Sequence, residues 1–329
     1  MFMVNKEKST KKGVLIVFGT LFALFVIAAI LFVSIGGDSL SAKFRTLTGK
    51  DGHEEISFFM ENDRGTYDLV ELSIPDKKKY GEGPYPVVLM AHGFAGTLHS
   101  GGASELGARL AEKGVLAARI DFDPYVEPDK SADRTHEYPL SQMESDAVKL
   151  LDTIVEEYNG DPENISLYGR SYGGRLVMRM ANESSGGYDY KKLALVAPAG
   201  DAVAFQRYLG GEEKYAAMKK QADENGKNGE PGYAEKLGVH ITPKWFEDVE
   251  SYDPTEYGWK FGDKPVLLFY NTLDTVVYPD TSVRCAESYK NHEIVEVTTD
   301  DGHGYEMGYK KSELKDMIMD RLTEFLSAK

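Results

Sequence analysis

The sequence predicts an α/β protein with a mostly parallel sheet covered by helices on both faces, and three observations carry this. Short apolar runs alternate with segments of helical periodicity along residues 53–329, the pattern of repeated strand–helix units. Some runs, such as Pro86-Val-Val-Leu-Met-Ala91, contain no charged or hydroxyl side chain, as strands buried on both faces require. A third run, around Ile165 and Leu167, turns through Gly169-Arg170-Ser171-Tyr172-Gly173 directly into the helix-like segment that begins at Gly174.

Taken in order, Glu55–Met60 and Tyr67–Ile74 read as two strands joined by the turn-rich Asn62-Asp63-Arg64-Gly65. Lys77–Pro86 is a polar loop, and the buried strand after it ends in His92-Gly93-Phe94-Ala95-Gly96. Leu106–Lys113 reads as a helix stopped at Gly114, and Val115–Phe122 as the next strand. Leu140–Tyr158 places Met143, Ala147, Leu150, Leu151, Ile154 and Val155 at helical spacing and stops at Asn159-Gly160. Beyond the serine unit come strands at Leu193–Ala197, Pro265–Tyr270 and Ile294–Thr299, with a helix at Thr281–Tyr289. Ser312–Leu326 closes the chain as an amphipathic helix. Residues 201–263 break the alternation. They show no convincing strand, hold an acidic, Gly/Asn-rich patch at 223–232, and carry both tryptophans, Trp245 and Trp259. A structureless loop of that length is rare in a compact domain, so a mainly helical cap inserted between two strands is expected.

The chemistry centres on Ser171. A serine on a sharp strand-to-helix turn needs a strained backbone and close packing two residues to either side, which Gly169 and Gly173 permit because they carry no Cβ. The helix that follows aims its N-terminal amides at the site. Two further loops leave strand ends: Asn271-Thr-Leu-Asp274-Thr-Val-Val277, and Asp300-Asp-Gly-His303-Gly304. Open α/β sheets gather ligands at the carboxyl ends of their strands, so Ser171, Asp274 and His303 are expected to converge there. Each alone has an ordinary explanation, Asp as a turn former and His as a solvated loop residue. The chain order Ser, Asp, His is the one that distinguishes one serine-hydrolase fold from the chymotrypsin and subtilisin types.

These motifs resemble the α/β-hydrolase superfamily, and more narrowly the branch of serine-aminopeptidase-like hydrolases, monoacylglycerol lipases and bacterial cinnamoyl (feruloyl) esterases. The resemblance rests on His92-Gly93-Phe94, Arg119-Ile-Asp-Phe122, Gly169-Arg-Ser171-Tyr-Gly173, Leu195-Val-Ala-Pro198, Asp274-Thr-Val-Val277 and Gly302-His303, and spans about 56–328 apart from the cap. It implies an α/β-hydrolase fold, catalysis by Ser171, His303 and Asp274 through an acyl-enzyme, and an oxyanion hole from the amides of Phe94 and Tyr172. It also implies that His92 structures its loop and is no second base. Two departures stand out. Arg170 replaces the histidine usual there, and the loop Asp121-Phe-Asp-Pro-Tyr-Val126 lacks the customary glycines, which weakens any transfer of substrate identity.

Composition sets limits. The chain has 329 residues, 42% hydrophobic and 28% charged, and its net charge of −15 argues against a nucleic-acid partner. One cysteine, Cys285, excludes an intramolecular disulfide and reads as a structural thiol. His53, His99, His136, His240 and His292 lack metal-ligand spacing, so neither metal nor cofactor is expected. Asn164-Ile-Ser and Asn182-Glu-Ser match the glycosylation pattern, but neither reads as functional. Val14–Ile35 is free of charge and follows Lys6, Lys8, Lys11 and Lys12. At ~1.5 Å per residue it reaches across a ~30 Å hydrocarbon core. The expected organisation is a cytoplasmic tail (1–13), a single-pass signal-anchor in the cell membrane (14–35), a linker (36–52) and an extracytoplasmic hydrolase domain (53–329) with its cap at about 201–263. A cleaved signal would have a shorter apolar core and a better cleavage site than Ser39-Leu40-Ser41.

The expected partners are therefore a membrane, through that helix, and a small-molecule ester. A carboxylesterase for small or aromatic acyl esters stands first, with Trp245 and Trp259 as candidate substrate-binding walls in the cap. A peptidase or acyltransferase on the same three residues stands second, and a non-catalytic surface-binding protein third.

Overall fold

At the centre of the sheet lies the strand that delivers Ser171, β5 (Gly160–Arg170), paired in parallel with β3 (Tyr85–Ala91) on one side and β6 (Leu193–Val196) on the other. The computed structural model describes residues 52–125, 139–227, 232–234, 239–307 and 312–328. Outward from this centre run β4 (Leu116–Tyr125), β2 (Tyr67–Pro75) and β1 (His53–Glu61) in one direction, and β9 (Val266–Asn271) and β10 (His292–Val297) in the other. Only β1–β2 and β2–β4 pair antiparallel in this eight-stranded sheet.

Strand alternation feeds two cores. Val87, Leu89 and Ala91 join one, while Val88 and Met90 join the other. That is why the run reads as continuously apolar. The first face is covered by α3 (Leu140–Glu157) and α4 (Tyr172–Glu183) through Leu150, Ile154, Leu176 and Met180, and by α8 (Pro279–Glu287) through Cys285 and Ala286. The second face is covered by α2 (Ala103–Glu112) and the closing α9 (Ser312–Ser327), through Leu106, Leu110, Ile318 and Leu322. Cys285 is wholly buried, and burial pushes its thiol up, as a structural cysteine requires.

Three expectations need correction. The polar stretch after β2 holds a one-turn helix, α1 (Lys77–Tyr80), because the Asp76 side chain accepts from the Lys78 amide at 2.9 Å and caps it. The last strand starts at His292 and stops at Val297, since Asn271 Oδ1 takes the Thr299 amide at 3.0 Å. Between β6 and β9 the insertion holds α5 (Ala202–Tyr208), α6 (Glu212–Lys227) and α7 (Pro243–Ser251), but also a small antiparallel pair, β7 (Gly232–Ala234) and β8 (Val239–Ile241). Three residues per strand are too few to show a period-2 pattern.

The expected tail at 1–13, span at 14–35 and nearly all of the linker lie outside the described residues. Among the described residues no helix is long and apolar enough to cross a membrane.

Candidate active site

Ser171 sits between β5 and α4 at φ 53°, ψ −118°, a backbone conformation that costs an L-residue energy. The surroundings hold it there. Its amide donates to the Val196 carbonyl at 2.9 Å, and its carbonyl accepts from Gly174 and Ala199, each at 2.9 Å. The flanking glycines are sterically required: a Cβ at Gly173 would run into the carbonyl oxygens of Ala91 and His92, and one at Gly169 into Val177 and the Gly173 carbonyl. Gly174 is equally constrained, by Pro198 at 2.7 Å.

Asp274 and His303 meet across two loops. His303 Nδ1 lies 2.7 Å from Asp274 Oδ2, and Asp274 Oδ1 accepts from the amides of Val276 at 2.8 Å and Val277 at 3.1 Å. With Nδ1–H donated to the carboxylate, Nε2 keeps its lone pair. Nε2 is buried and makes no hydrogen bond among the described residues, and both His303 and Ser171 line the same cavity. Asn271, wholly buried at the end of β9, joins the two loops. Its Nδ2 donates to the carbonyls of Thr299 at 2.8 Å and Gly302 at 3.0 Å, while its Oδ1 accepts from the Leu273 and Thr299 amides. Nothing in the local sequence distinguishes Asn271 from a turn asparagine.

The loop after β3 supplies a further wall. His92 Nδ1 donates to the Gly93 carbonyl at 2.8 Å and Nε2 accepts from the Phe122 amide at 3.2 Å, so both nitrogens are engaged in shaping the loop. Gly93 lies against the serine, for a Cβ there would come within 3.0 Å of Ser171 Cβ. Phe94 follows it, and Tyr172 opens α4, where the helix dipole is positive. Both line the cavity.

That cavity encloses about 160 Å³. Phe94, Tyr172, Phe205, Tyr208, Leu209 and Trp245 make most of its wall, with Ala199, Ala204, Val276 and Val277, and the remaining lining is Arg170, Ser171 and His303. Trp245 packs edge-on against Phe205 at 5.2 Å and Phe94 at 5.8 Å between ring centroids. Trp259 does not belong to this wall. It lies in the 3-10 turn Gly258–Phe261, 68% exposed, because the neighbouring Phe261 takes the buried position there. Phe205 and Tyr208 on α5, and Leu209 just after it, went unnoticed in the sequence, where a seven-residue helix shows too little periodicity to reveal its inner face.

The cap is tied to the serine helix by a buried arginine. Arg175 donates to the carbonyls of Gly200, Val249 (2.7 Å) and Tyr252, and burial pulls its guanidinium below its ordinary value. Asp253, two residues before Thr255, accepts from that residue's amide and hydroxyl and serves as a turn cap.

Residues 82–220 match the family model of serine aminopeptidases (S33). Among solved structures, Est1E from Butyrivibrio proteoclasticus is similar at 20% identity and a TM-score of 0.62, over 84% of this chain and 98% of that one. Acetyl xylan esterase from Paenibacillus sp. R4 is similar at 16% identity and TM-score 0.59, over 87% and 90%. An acylaminoacyl peptidase is similar at 17% and 0.60, over 85% of this chain but 42% of its own. No curated protein sequence matches. At these identities the structural likeness establishes the fold. Together with the family match over residues 82–220 it makes the chain similar to the serine hydrolases of the α/β-hydrolase superfamily.

Proposed function

We propose that this chain is a carboxylesterase for esters of small or aromatic acids, working through Ser171, His303 and Asp274 and held at the cell membrane by residues 14–35 with its hydrolase domain outside. In this reading His303 Nε2 takes the Ser171 hydroxyl proton as Oγ attacks the ester carbonyl, and the alcohol leaves with that proton. Asp274 keeps Nδ1 protonated and supports the imidazolium. The amides of Phe94 and Tyr172 receive the oxyanion, a contribution of ~10²–10³-fold per donor in comparable sites. Water then enters, His303 deprotonates it, and the acid is released.

The observation that carries the substrate class is the cavity. At about 160 Å³ it is close to the ~150 Å³ apolar cavity known to hold one benzene, so it suits a single aromatic ring or a short chain. Est1E, of the same fold, has also been solved with ferulic acid bound, an aromatic acid of the kind this wall would accept. A long acyl chain would need more room.

The serine-aminopeptidase match favours a second reading, cleavage at a free N-terminus. That chemistry needs a carboxylate to pair the substrate ammonium, and among the described residues no carboxylate lines the cavity. The acidic residues of α7 are engaged elsewhere. Glu247 pairs with Lys244, Glu250 with Lys219, and Asp248 with Ser141 and Lys244. Burial pushes the Asp248 carboxyl up, but these bonds outweigh it and hold it below the usual range.

Two measurements test the proposal. A fluorophosphonate probe should label the protein, and Ser171→Ala should abolish both label and ester turnover. Among substrates, kcat/KM should be highest for a phenylpropenoyl or short-chain ester. Faster cleavage of a long-chain monoacylglycerol or an aminoacyl arylamide would sink the substrate assignment.

A further inference from the structure

The arginine immediately before Ser171 has no role in the reaction described above, yet it lines the cavity and is held by both a carboxylate and a backbone carbonyl. Arg170 Nε is ion-paired with Glu306 Oε1, and its Nη2 donates to the His303 carbonyl at 2.9 Å. Glu306 is completely buried, and its other oxygen, Oε2, makes no hydrogen bond among the described residues. Two glycines make room for the Arg170 side chain. A Cβ on Gly101, which sits at φ +64°, would come within 2.6 Å of Arg170 Cδ and 3.1 Å of Glu306 Oε1. A Cβ on Gly93 would come within 3.2 Å of Arg170 Nη1 and 3.0 Å of Ser171 Cβ. The guanidinium thus lies between the loop after β3 and the histidine loop, on the residue next to the nucleophile.

We infer that Arg170, anchored by Glu306, is a positioning residue that holds the backbone of His303 in register with Ser171. The inference rests on the reading of Ser171 as nucleophile and His303 as base. Asp274 controls one end of the imidazole, through Nδ1, and leaves the ring able to swing about that bond. Fixing the His303 carbonyl anchors the backbone from which that ring extends. It does so from the same residue pair that carries Ser171, so the elbow and the base share one rigid reference. A planar guanidinium suits this task because it can bond a carboxylate and a carbonyl at once in fixed directions, which an ammonium cannot. Burial opposes the charge on Arg170, but Glu306 outweighs it and holds the guanidinium above its ordinary value.

The test uses the full-length protein in four forms besides the native one: Arg170→Met, Arg170→Lys, Glu306→Gln and the double variant Arg170→Met/Glu306→Met. A misplaced base costs on the order of 10²-fold in rate. Arg170→Met and Glu306→Gln should therefore each lower kcat on a short-chain ester by ~10–100-fold, with KM within about threefold. Arg170→Lys should recover only part. The double variant should be no slower than the slower single one, as for residues acting as a unit. A merely structural pair would not predict the pH profile. Among the described residues Asp274 meets His303 Nδ1, Arg170 meets its carbonyl, Glu306, Tyr168 and Tyr305 interact with Arg170, and Asp301 precedes His303 by two residues. Removing the guanidinium leaves a negative group near the imidazole and should move the acid limb of kcat/KM up. Glu306→Gln leaves a positive one and should move it down.

Unchanged kcat in both single variants, or acid limbs moving the same way, overturns the inference. So does a change confined to KM, which would make Arg170 a substrate contact. If Arg170→Met does not fold, Arg170→Lys and Glu306→Gln decide alone. Ser171→Ala serves as the control for the underlying reading. Activity surviving there removes the nucleophile assignment, whereas a dead Ser171→Ala beside a fully active Glu306→Gln removes only the clamp.

Discussion

At the scale of single residues, backbone and burial leave few choices. Asp274 has both oxygens committed, one to the imidazole and one to two amides, which is the geometry of an orienting acid. Asp274→Asn should keep the fold and lower kcat by about 10⁴-fold, because the amide favours the wrong imidazole tautomer. Asp253→Asn should do nothing comparable, since that side chain only caps its turn. Steady-state kinetics on the two variants decides the matter. Asp68 makes a different prediction. It is fully buried beside Asp146, Asn62 donates to its Oδ1 at 3.3 Å, and its Oδ2 has no partner among the described residues. Desolvation first, and the Asp146 carboxylate second, push its pKa up to about 8 against the opposing charge of Arg64. In the unfolded chain the group titrates near 4, so between pH 4 and 8 the folded state binds the extra proton. Its contribution to stability is complete below that window and is lost as pH rises through 8. Thermal unfolding should show Asp68→Asn flattening the fall in Tm between pH 6 and pH 9. An unchanged slope would mean that the proton sits elsewhere.

Elements act by what they bring to the cavity. The helix α7 contributes one buried tryptophan, and Arg175 holds the C-terminal end of that helix through the carbonyls of Val249 and Tyr252. The cap is thus fastened to the serine helix, and the aromatic wall is a fixed surface. Trp245→Ala should remove ~3–5 kcal/mol of stability, the usual cost of truncating a buried aromatic. If the protein still folds, the enlarged cavity should raise kcat/KM for bulky acyl groups relative to a phenylpropenoyl ester. Trp259→Ala should alter neither, because its ring is in solvent. Denaturant titration and a chain-length series of esters would read both effects, and equal responses from the two tryptophans would contradict this account of the wall.

At the scale of the whole molecule the expected arrangement is a hydrolase tethered outside a membrane. Its basis is the uncharged 14–35 run behind four lysines. Protease added to intact cells should remove the domain, and carbonate washing should leave the full-length chain in the membrane fraction. A soluble product beginning near Ala42 would identify a cleaved signal instead.

The sequence by itself determined the parts that depend on local backbone demands. Alternating apolar runs and helical periods marked all eight strands of the main sheet, because a strand buried on both faces tolerates few polar residues and a covering helix must repeat every 3.6. The turn around Ser171 was legible because only glycine fits where a Cβ would meet Ala91 and His92. Tertiary structure alone decided which side chains share a space. Arg170 and Glu306 are 136 residues apart, and no spacing rule connects them. Asn271 looks like any turn asparagine until four backbone groups from two loops converge on it. Trp245 and Trp259 read as equivalent cap aromatics, yet one is sealed against Phe205 and Phe94 and the other faces water. The physical reason is the same in each case. Local conformation follows from neighbours in the chain, whereas burial and pairing follow from surfaces that meet only after the sheet has formed.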